Sequence, residues 1–295
     1  MAACVVCGQM NLTSASQVKN LLSGHGIRPK KRLGQNFLID RNVLDRLLEA
    51  AGITSQSRVI EVGPGLGVVT KELASRVDRV VCIDIDADME PILREVLSGF
   101  SNAEVVIDDF LKIDLDRFLS ERGGGCWSVI ANLPYYITTP IIIKLIESKA
   151  NFDSIILMVQ REVASRLKAT ADGSDYGSIT VFVQYHCEVS SVMKVSRNVF
   201  YPVPDVDSEL IRLDIRSKPA VDVADEQLFF AVVRAAFGKR RKTLLNSLSS
   251  SADLGWDRER AEAALSAAGI DSGRRGETLT LADFASICSA SIQIS

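Results

Sequence analysis

Arg58-Val59-Ile60-Glu61-Val62-Gly63-Pro64-Gly65-Leu66-Gly67 is the stretch on which the fold is read. A short run rich in β-branched residues stops at a glycine-rich turn, and helical spacing begins again from Val69 to Arg76. A strand, a tight turn and a helix start in such close order open a βαβ unit. The pattern repeats outward along the chain. Arg79-Val80-Val81-Cys82-Ile83 ends at Asp84 and is followed by a helix around Met89 to Leu97. Glu104-Val105-Val106-Ile107 ends at Asp108-Asp109, and Trp127-Ser128-Val129-Ile130-Ala131 runs into Asn132-Leu133-Pro134-Tyr135. Nearly continuous apolar strands alternating with helices predict an α/β fold with a mostly parallel sheet buried on both faces. The polar groups fall at the strand ends, where open α/β sheets bind ligands.

Ahead of this core, an amphipathic helix is predicted near Asn42 to Ala51. After it, strands are predicted at Ser154 to Val159 and at Ile179 to Glu188, with a helix at Arg161 to Lys168 between them. Val192 to Ile215 reads as β-rich, interrupted by a proline-containing loop. Past Pro219 the period changes. Phe229, Val232, Val233, Ala236 and Phe237 recur at helical spacing, and helical segments follow at Leu244 to Leu248, Arg258 to Ala267 and Leu281 to Ser289. Thr280 with Asp283 three residues on has the form of a capping box. The expected organisation is an N-terminal arm over 1–27, partly disordered, an α/β domain over 28–217 and a small all-helical domain over 218–295.

The chain of 295 residues has 34 Lys+Arg against 37 Asp+Glu, a net charge of -3, and 47% hydrophobic residues. These are ordinary globular proportions, which set aside disorder, fibrous repeats and a coiled coil. No apolar run is long enough to span a membrane. Of the 6 cysteines, only Cys4 and Cys7 form a close pair, and with His25 and His186 far apart no zinc set is offered, so no metal is expected. Residues 1–9 lack the features of a secretory or transit segment, and a reducing cytoplasm is the expected compartment.

A glycine-rich turn after a strand lets the backbone approach a ligand closely at a helix N-terminus. A dinucleotide fingerprint would need Gly or Ala where this chain has Val68. The spacing of Gly63, Gly65 and Gly67, with Glu61 at the strand end, instead resembles the first motif of class I S-adenosylmethionine-dependent methyltransferases. Asp84, ending the next strand, is placed to accept from ribose hydroxyls, and Asp109, ending the third, to accept from an adenine amino group.

Asn132-Leu133-Pro134-Tyr135 resembles the motif of methyltransferases that act on amino nitrogens, in the form found in rRNA adenine dimethyltransferases. The chemistry suits those residue types. An exocyclic amino nitrogen is a poor nucleophile because its lone pair delocalises into the ring, so its two protons must be held by acceptors that orient it. The Asn132 oxygen and a carbonyl at Leu133 or Pro134 can do so, and Tyr135 offers a stacking face. Further motifs keep this company: Lys30-Lys31-Arg32-Leu33-Gly34-Gln35-Asn36-Phe37-Leu38, Gln160-Arg161-Glu162-Val163-Ala164, Phe200-Tyr201-Pro202-Val203-Pro204-Asp205-Val206-Asp207-Ser208, and Phe237-Gly238-Lys239-Arg240-Arg241-Lys242-Thr243-Leu244-Leu245-Asn246. From about Pro29 almost to the C-terminus, the chain resembles the ribosomal RNA small-subunit adenine N6,N6-dimethyltransferase family. The resemblance implies a Rossmann-like class I methyltransferase domain and S-adenosylmethionine as donor, contacted by Asn36, Leu38, Glu61, Gly63, Gly65, Asp84, Asp109 and Asn132. It also implies a target adenine flipped between Tyr135 and Phe200. Asp84 stands where many relatives have Glu, and Arg161 where Lys is commoner.

Two basic runs oppose the overall charge: Arg28, Lys30, Lys31 and Arg32, and Arg234, Lys239, Arg240, Arg241 and Lys242. Lys30, Lys31, Arg32, Arg240, Arg241 and Lys242 are the expected phosphate contacts. The resemblance implies dimethylation of two adjacent adenosines near the 3' end of small-subunit (16S) rRNA, within a pre-ribosomal 30S particle, by a monomer. The rivals are a large-subunit rRNA methyltransferase of the macrolide-resistance type and an assembly factor that acts mainly by binding. A nicotinamide dehydrogenase is more remote.

Overall fold

The computed structural model describes residues 11–239 and 241–294. Two compact units share them, the first made of residues up to Arg161 together with Ser190–Ile215, the second of Glu162–Val189 and Arg216 onward. Arg240, and the Cys4–Cys7 pair with the rest of residues 1–10, lie outside the described residues.

The first unit is organised by a sheet. Its strands are β1 (Phe37–Leu38), β2 (Arg58–Val62), β3 (Arg79–Asp84), β4 (Ala103–Ile107), β5 (Cys126–Asn132), β6 (Asn151–Gln160), β7 (Cys187–Val195), β8 (Phe200–Tyr201) and β9 (Ser208–Ile215). Seven of them form the main sheet in the order β4-β3-β2-β5-β6-β9-β7, while β1 and β8 pair apart as a short antiparallel ribbon. β4, β3, β2, β5 and β6 run parallel, and β9 returns antiparallel to β6. Strand order therefore reverses between β2 and β5, which opens a crevice beyond their carboxyl ends.

Burial explains the apolar runs. Val59, Val80, Ile130, Ile156 and Leu210 share one core cluster with Val43, Leu44 and Leu47 of helix α2 (Arg41–Ala51) and with Val69 and Leu73 of α3 (Val68–Ala74). The alternate residues Ile60, Val62, Val81, Ile83, Val129 and Ala131 are buried as well, so neither face of the parallel strands is left to water. The segment expected as a loose arm contains helix α1 (Ala15–Gly24), whose Val18 and Leu22 pack with Phe37, Met89, Ile92 and Leu93. Its apolar spacing over Val18, Leu21 and Leu22 gives it one face to bury.

Helices make up most of the second unit. Its core joins Val181, Tyr185, Phe229, Val232, Val233, Leu244, Trp256, Leu265, Phe284 and Ile287. The capping box is present: Asp283 N donates to Thr280 Oγ1 at 3.2 Å and Thr280 N to Asp283 Oδ2 at 3.0 Å. Residues 178–186 correct the sequence reading, because they form a helix, Ser178–His186, where β-branched composition predicted a strand. Tertiary contacts decide it. Val181 and Tyr185, one turn apart, enter the core, Phe182 and His186 both meet Phe230, and Gln184 Nε2 donates to the carbonyls of Leu167 and Ala169 at the end of the helix Arg161–Lys168. Those bonds draw 162–189 into the helical unit, so the division differs from the one expected near Lys218.

At the glycine turn, Gly65 has φ +55° and a Cβ there would lie 2.9 Å from Phe37 Cδ1. Gly65→Ala combines left-handed strain with displacement of that ring and is expected to cost about 1–3 kcal/mol in urea unfolding. A change below about 0.3 kcal/mol would mean that the ring moves aside freely.

Candidate active site

The crevice between β2 and β5 is a pocket enclosing about 1020 Å³ of atom-free space, its open mouth included. Four of the parallel strands, β2 to β5, deliver polar groups to it. Glu61 from β2, Asp84 from β3, Asp108 and Asp109 beyond β4, and Asn132 from β5 all line the cavity, with Gly63 and Gly65 between them. Asn36 and Leu38, from the segment before α2, complete the wall together with Leu133, Pro134 and Tyr135. The structure thus gathers the expected donor residues into one site.

Electrostatics distinguish the carboxyls. Glu61 is 2% exposed and accepts from Thr70 Oγ1 at 2.5 Å. Burial, together with the neighbouring Asp84 charge, pushes it up to about 8 in spite of the Thr70 hydrogen bond, so it is mostly neutral at pH 7. Asp84 is pushed up to about 6 by burial, against backbone donation from Asp86 N at 2.9 Å and Gly65 N at 3.3 Å. It remains mostly ionised at pH 7, an acceptor held ready in the wall. Asp109 turns one oxygen to Leu111 N at 3.0 Å, while Lys112 Nζ lies 3.6 Å from the other.

Asn132 is oriented by the backbone. Its Nδ2 donates to Asn36 O at 3.1 Å, and because a carbonyl can only accept, that bond fixes which end of the amide is oxygen. Pro134 O already accepts from Ile137 N and Thr138 Oγ1, each at 3.2 Å. Leu133 O has no partner among the described residues, so of the two carbonyls it is the one left open toward the pocket. Tyr135 is anchored through its hydroxyl to Ser208 Oγ at 2.8 Å, and burial holds its phenol above the ordinary value and neutral.

Two expected residues are placed differently. Phe200 is 1% exposed and does not line the pocket. It pairs with Leu38 in the β1–β8 ribbon and packs with Val43, Ile130 and Met158, so its ring is spent on the core, and of the two expected aromatics it is Tyr135 that lines the pocket. Lys30 is not an open phosphate contact. Its Nζ lies 2.5 Å from Asp86 Oδ1 and 2.6 Å from Asp88 Oδ2, and the hydrogen bonds to those carboxylates raise it above its ordinary value. Lys31 and Arg32 are exposed and, among the described residues, unpaired, as are Arg241 and Lys242 in the helical unit.

Sequence reasoning missed Ile85, an apolar residue 49% exposed that lines the pocket beside Asp84 and gives a flat group something to rest on. It also missed Asp86, for which the two-residue spacing from Asp84 was the one available signal. No group of His, Cys, Asp and Glu among the described residues is arranged to hold a metal ion.

A parallel sheet with a reversed strand order, a glycine turn after β2, acidic groups at the next strand ends and an Asn-Leu-Pro-Tyr turn after β5 define a class I methyltransferase fold. A family profile described as ribosomal RNA adenine dimethylase matches residues 26–292. The ribosomal RNA small subunit methyltransferase A of Pelotomaculum thermopropionicum is 47% identical over 283 residues, 94% of this chain and 96% of that one. The protein of that name from Geobacillus thermodenitrificans is 47% identical over 95% of this chain and 97% of its own. Among solved structures, a dimethyladenosine transferase from Plasmodium falciparum superposes with a TM-score of 0.71 at 27% identity, covering 85% of this chain and 95% of that one. The 23S rRNA methyltransferase ErmE gives 0.65 at 30% identity, covering 88% and 100%. The chain belongs to the ribosomal RNA adenine dimethylase family.

The buried carboxyl beside the glycine turn gives the site a pH signature. A carboxyl whose folded value lies above its ordinary 4.5 stabilises the fold most below that value and loses the contribution as pH rises toward 8. Wild-type stability should therefore fall between pH 5 and pH 9 more steeply than that of Glu61→Gln, with the variant gaining more than about 1 kcal/mol over that range. Parallel urea-unfolding curves at the two pH values would show Glu61 to be ordinary.

Proposed function

We propose that the protein transfers methyl groups from S-adenosylmethionine to N6 of two adjacent adenosines near the 3' end of small-subunit rRNA, giving N6,N6-dimethyladenosine. The observation that carries this reading is the orientation of Asn132, whose committed nitrogen leaves its oxygen as an acceptor next to Leu133 O and Tyr135. The wall residues fit the donor. Asp84 would take its ribose hydroxyls, Asp109 its adenine amino group and Ile85 one face of its base, with the backbone at Gly63 and Gly65 close to its amino-acid part and Asn36 and Leu38 closing the opposite side. When bound, the donor supplies an electrophilic methyl carbon.

The protein's own contribution is orientation and electrostatics. With its two N–H groups held by Asn132 Oδ1 and Leu133 O, and its ring against Tyr135, the target nitrogen presents its lone pair in one direction only. Both hydrogen bonds strengthen as the nitrogen becomes positive, which stabilises the transition state rather than the ground state. The alkylated nitrogen is acidic and loses a proton without a strong base. Among the described residues no histidine lines the site, in keeping with that chemistry.

The names of the relatives favour the small subunit over the large, and the intact Asn132 to Tyr135 turn favours catalysis over assembly by binding alone. In this reading the enzyme is a cytoplasmic monomer acting within a pre-30S particle, and exposed Lys31, Arg32, Arg241 and Lys242 supply phosphate contacts. The deciding experiment offers purified protein and labelled donor to unmethylated small and large subunits and maps the modified nucleotides. Label on adjacent adenosines of small-subunit rRNA is the expected result. Label on the large subunit, or binding without transfer, would hand the case to a rival.

Asn132→Ala should lower the transfer rate by about 10²–10³ while leaving subunit affinity within about threefold. Equal losses in both would refute the role given to Asn132. Replacing Arg241 and Lys242 together with Ala should weaken subunit binding and reduce the slope of log affinity against log salt by about 1 to 2. An unchanged slope would mean that neither touches phosphate.

A further inference from the structure

The segment that walls the pocket is held at its far end by the β1–β8 ribbon, and before that by polar contacts outside the pocket. Lys30 Nζ lies 2.5 Å from Asp86 Oδ1, Gln35 Nε2 donates to Asp86 Oδ2 at 2.7 Å, and Lys30 N donates to Gln35 Oε1 at 2.8 Å. Both oxygens of Asp86 are thus occupied by the same short stretch of chain. Asp86 is 4% exposed and sits in the turn after β3, where its own N–H donates to Asp84 Oδ1 at 2.9 Å. Lys30 also reaches Asp88 at 2.6 Å, a second ion pair into that turn.

What the tie holds is functional surface. Between Lys30 and β1, Leu33, Gly34, Gln35 and Asn36 line the pocket, and Asn36 O is the acceptor that fixes the Asn132 amide. One end of the clasp therefore touches the carboxylate read as the ribose acceptor, and the other end supports the residue read as orienting the target nitrogen. Few apolar anchors serve residues 30–36, since none of them is buried, so polar ties must do the positioning. A partly buried charge pair with good geometry is suited to that, because breaking it leaves Asp86 without its cation.

We propose that Lys30, Gln35 and Asp86 form a positioning clasp that holds residues 31–38 in the arrangement competent for the methyl donor, and that it keeps Asn132 correctly oriented before the donor arrives. The inference rests on the donor reading given above. Loss of the clasp lowers the competent fraction of the protein and raises the apparent dissociation constant in inverse proportion. Lys30 is then a positioning residue acting through residues 31–38.

The test compares wild type, Lys30→Met and Lys30→Arg as full-length proteins. Binding of S-adenosylhomocysteine is followed by calorimetry, and hydrogen exchange of amides 31–38 is followed in ligand-free protein. Lys30→Met is expected to weaken binding about tenfold and to speed those amides by about the same factor, with Lys30→Arg restoring both to within about threefold. In turnover, the donor KM should rise by a larger factor than kcat falls. Unchanged binding and unchanged exchange in Lys30→Met would overturn the clasp. So would a loss confined to subunit affinity with a flatter salt dependence, which would return Lys30 to phosphate contact. If wild type itself fails to bind S-adenosylhomocysteine, the donor reading falls, and exchange alone decides the clasp: faster amides uphold it and unchanged amides refute it.

Discussion

Strand order reverses between β2 and β5, and a sheet buried on both faces leaves polar chemistry nowhere to go except the crevice that this reversal opens. Strands β2, β3, β4 and β5 all bring polar groups to the same edge. Glu61, Asp84, Asp109 and Asn132 are far apart in the chain and adjacent in space because each stands at or just past the carboxyl end of a strand. The environment then gives similar groups different tasks. Glu61 and Asp84 are both carboxyls, but the fully enclosed one is kept neutral near pH 7, while the one receiving backbone N–H groups stays mostly charged.

Much of this was legible because strand ends and glycine turns are written locally. The run from Arg58 to Gly67 announced its strand and turn, and apolar runs ending in Asp84, Asp109 and Asn132 announced where the crevice would be lined. Features set by distant partners were not legible. Ser178–His186 has strand-forming composition, yet Gln184 binding the carbonyls of Leu167 and Ala169 and Tyr185 entering the helical core make it a helix. Phe200 looked like a free aromatic because nothing local reveals its pairing with Leu38. Lys30 looked like its neighbours Lys31 and Arg32, and only the fold brings Asp86 beneath it. Composition cannot tell a cation held by carboxylates from one facing water.

The same distinction bears on the overall charge. A total of -3 is hard to square with an RNA partner if every basic residue counts equally. Arg41, Arg122 and Arg212 are bound to carboxylates, whereas Lys31, Arg32, Arg241 and Lys242 are exposed and unpaired among the described residues. With so few open cations the chain would not attract every polyanion, which fits the selective docking proposed above.

Under the proposed function, the committed amide of Asn132 would also set which base the pocket accepts. With its nitrogen turned to Asn36 O, the site offers the target edge lone pairs only, from Asn132 and from Leu133 O. Adenine and cytosine present an amino group there, while guanine and uracil present a carbonyl. A carbonyl would set lone pair against lone pair and leave buried acceptors unmatched, a penalty of about 1–3 kcal/mol for each. Deamination of the target adenosine to inosine, a change of one substituent, would therefore make the nucleotide something the pocket repels.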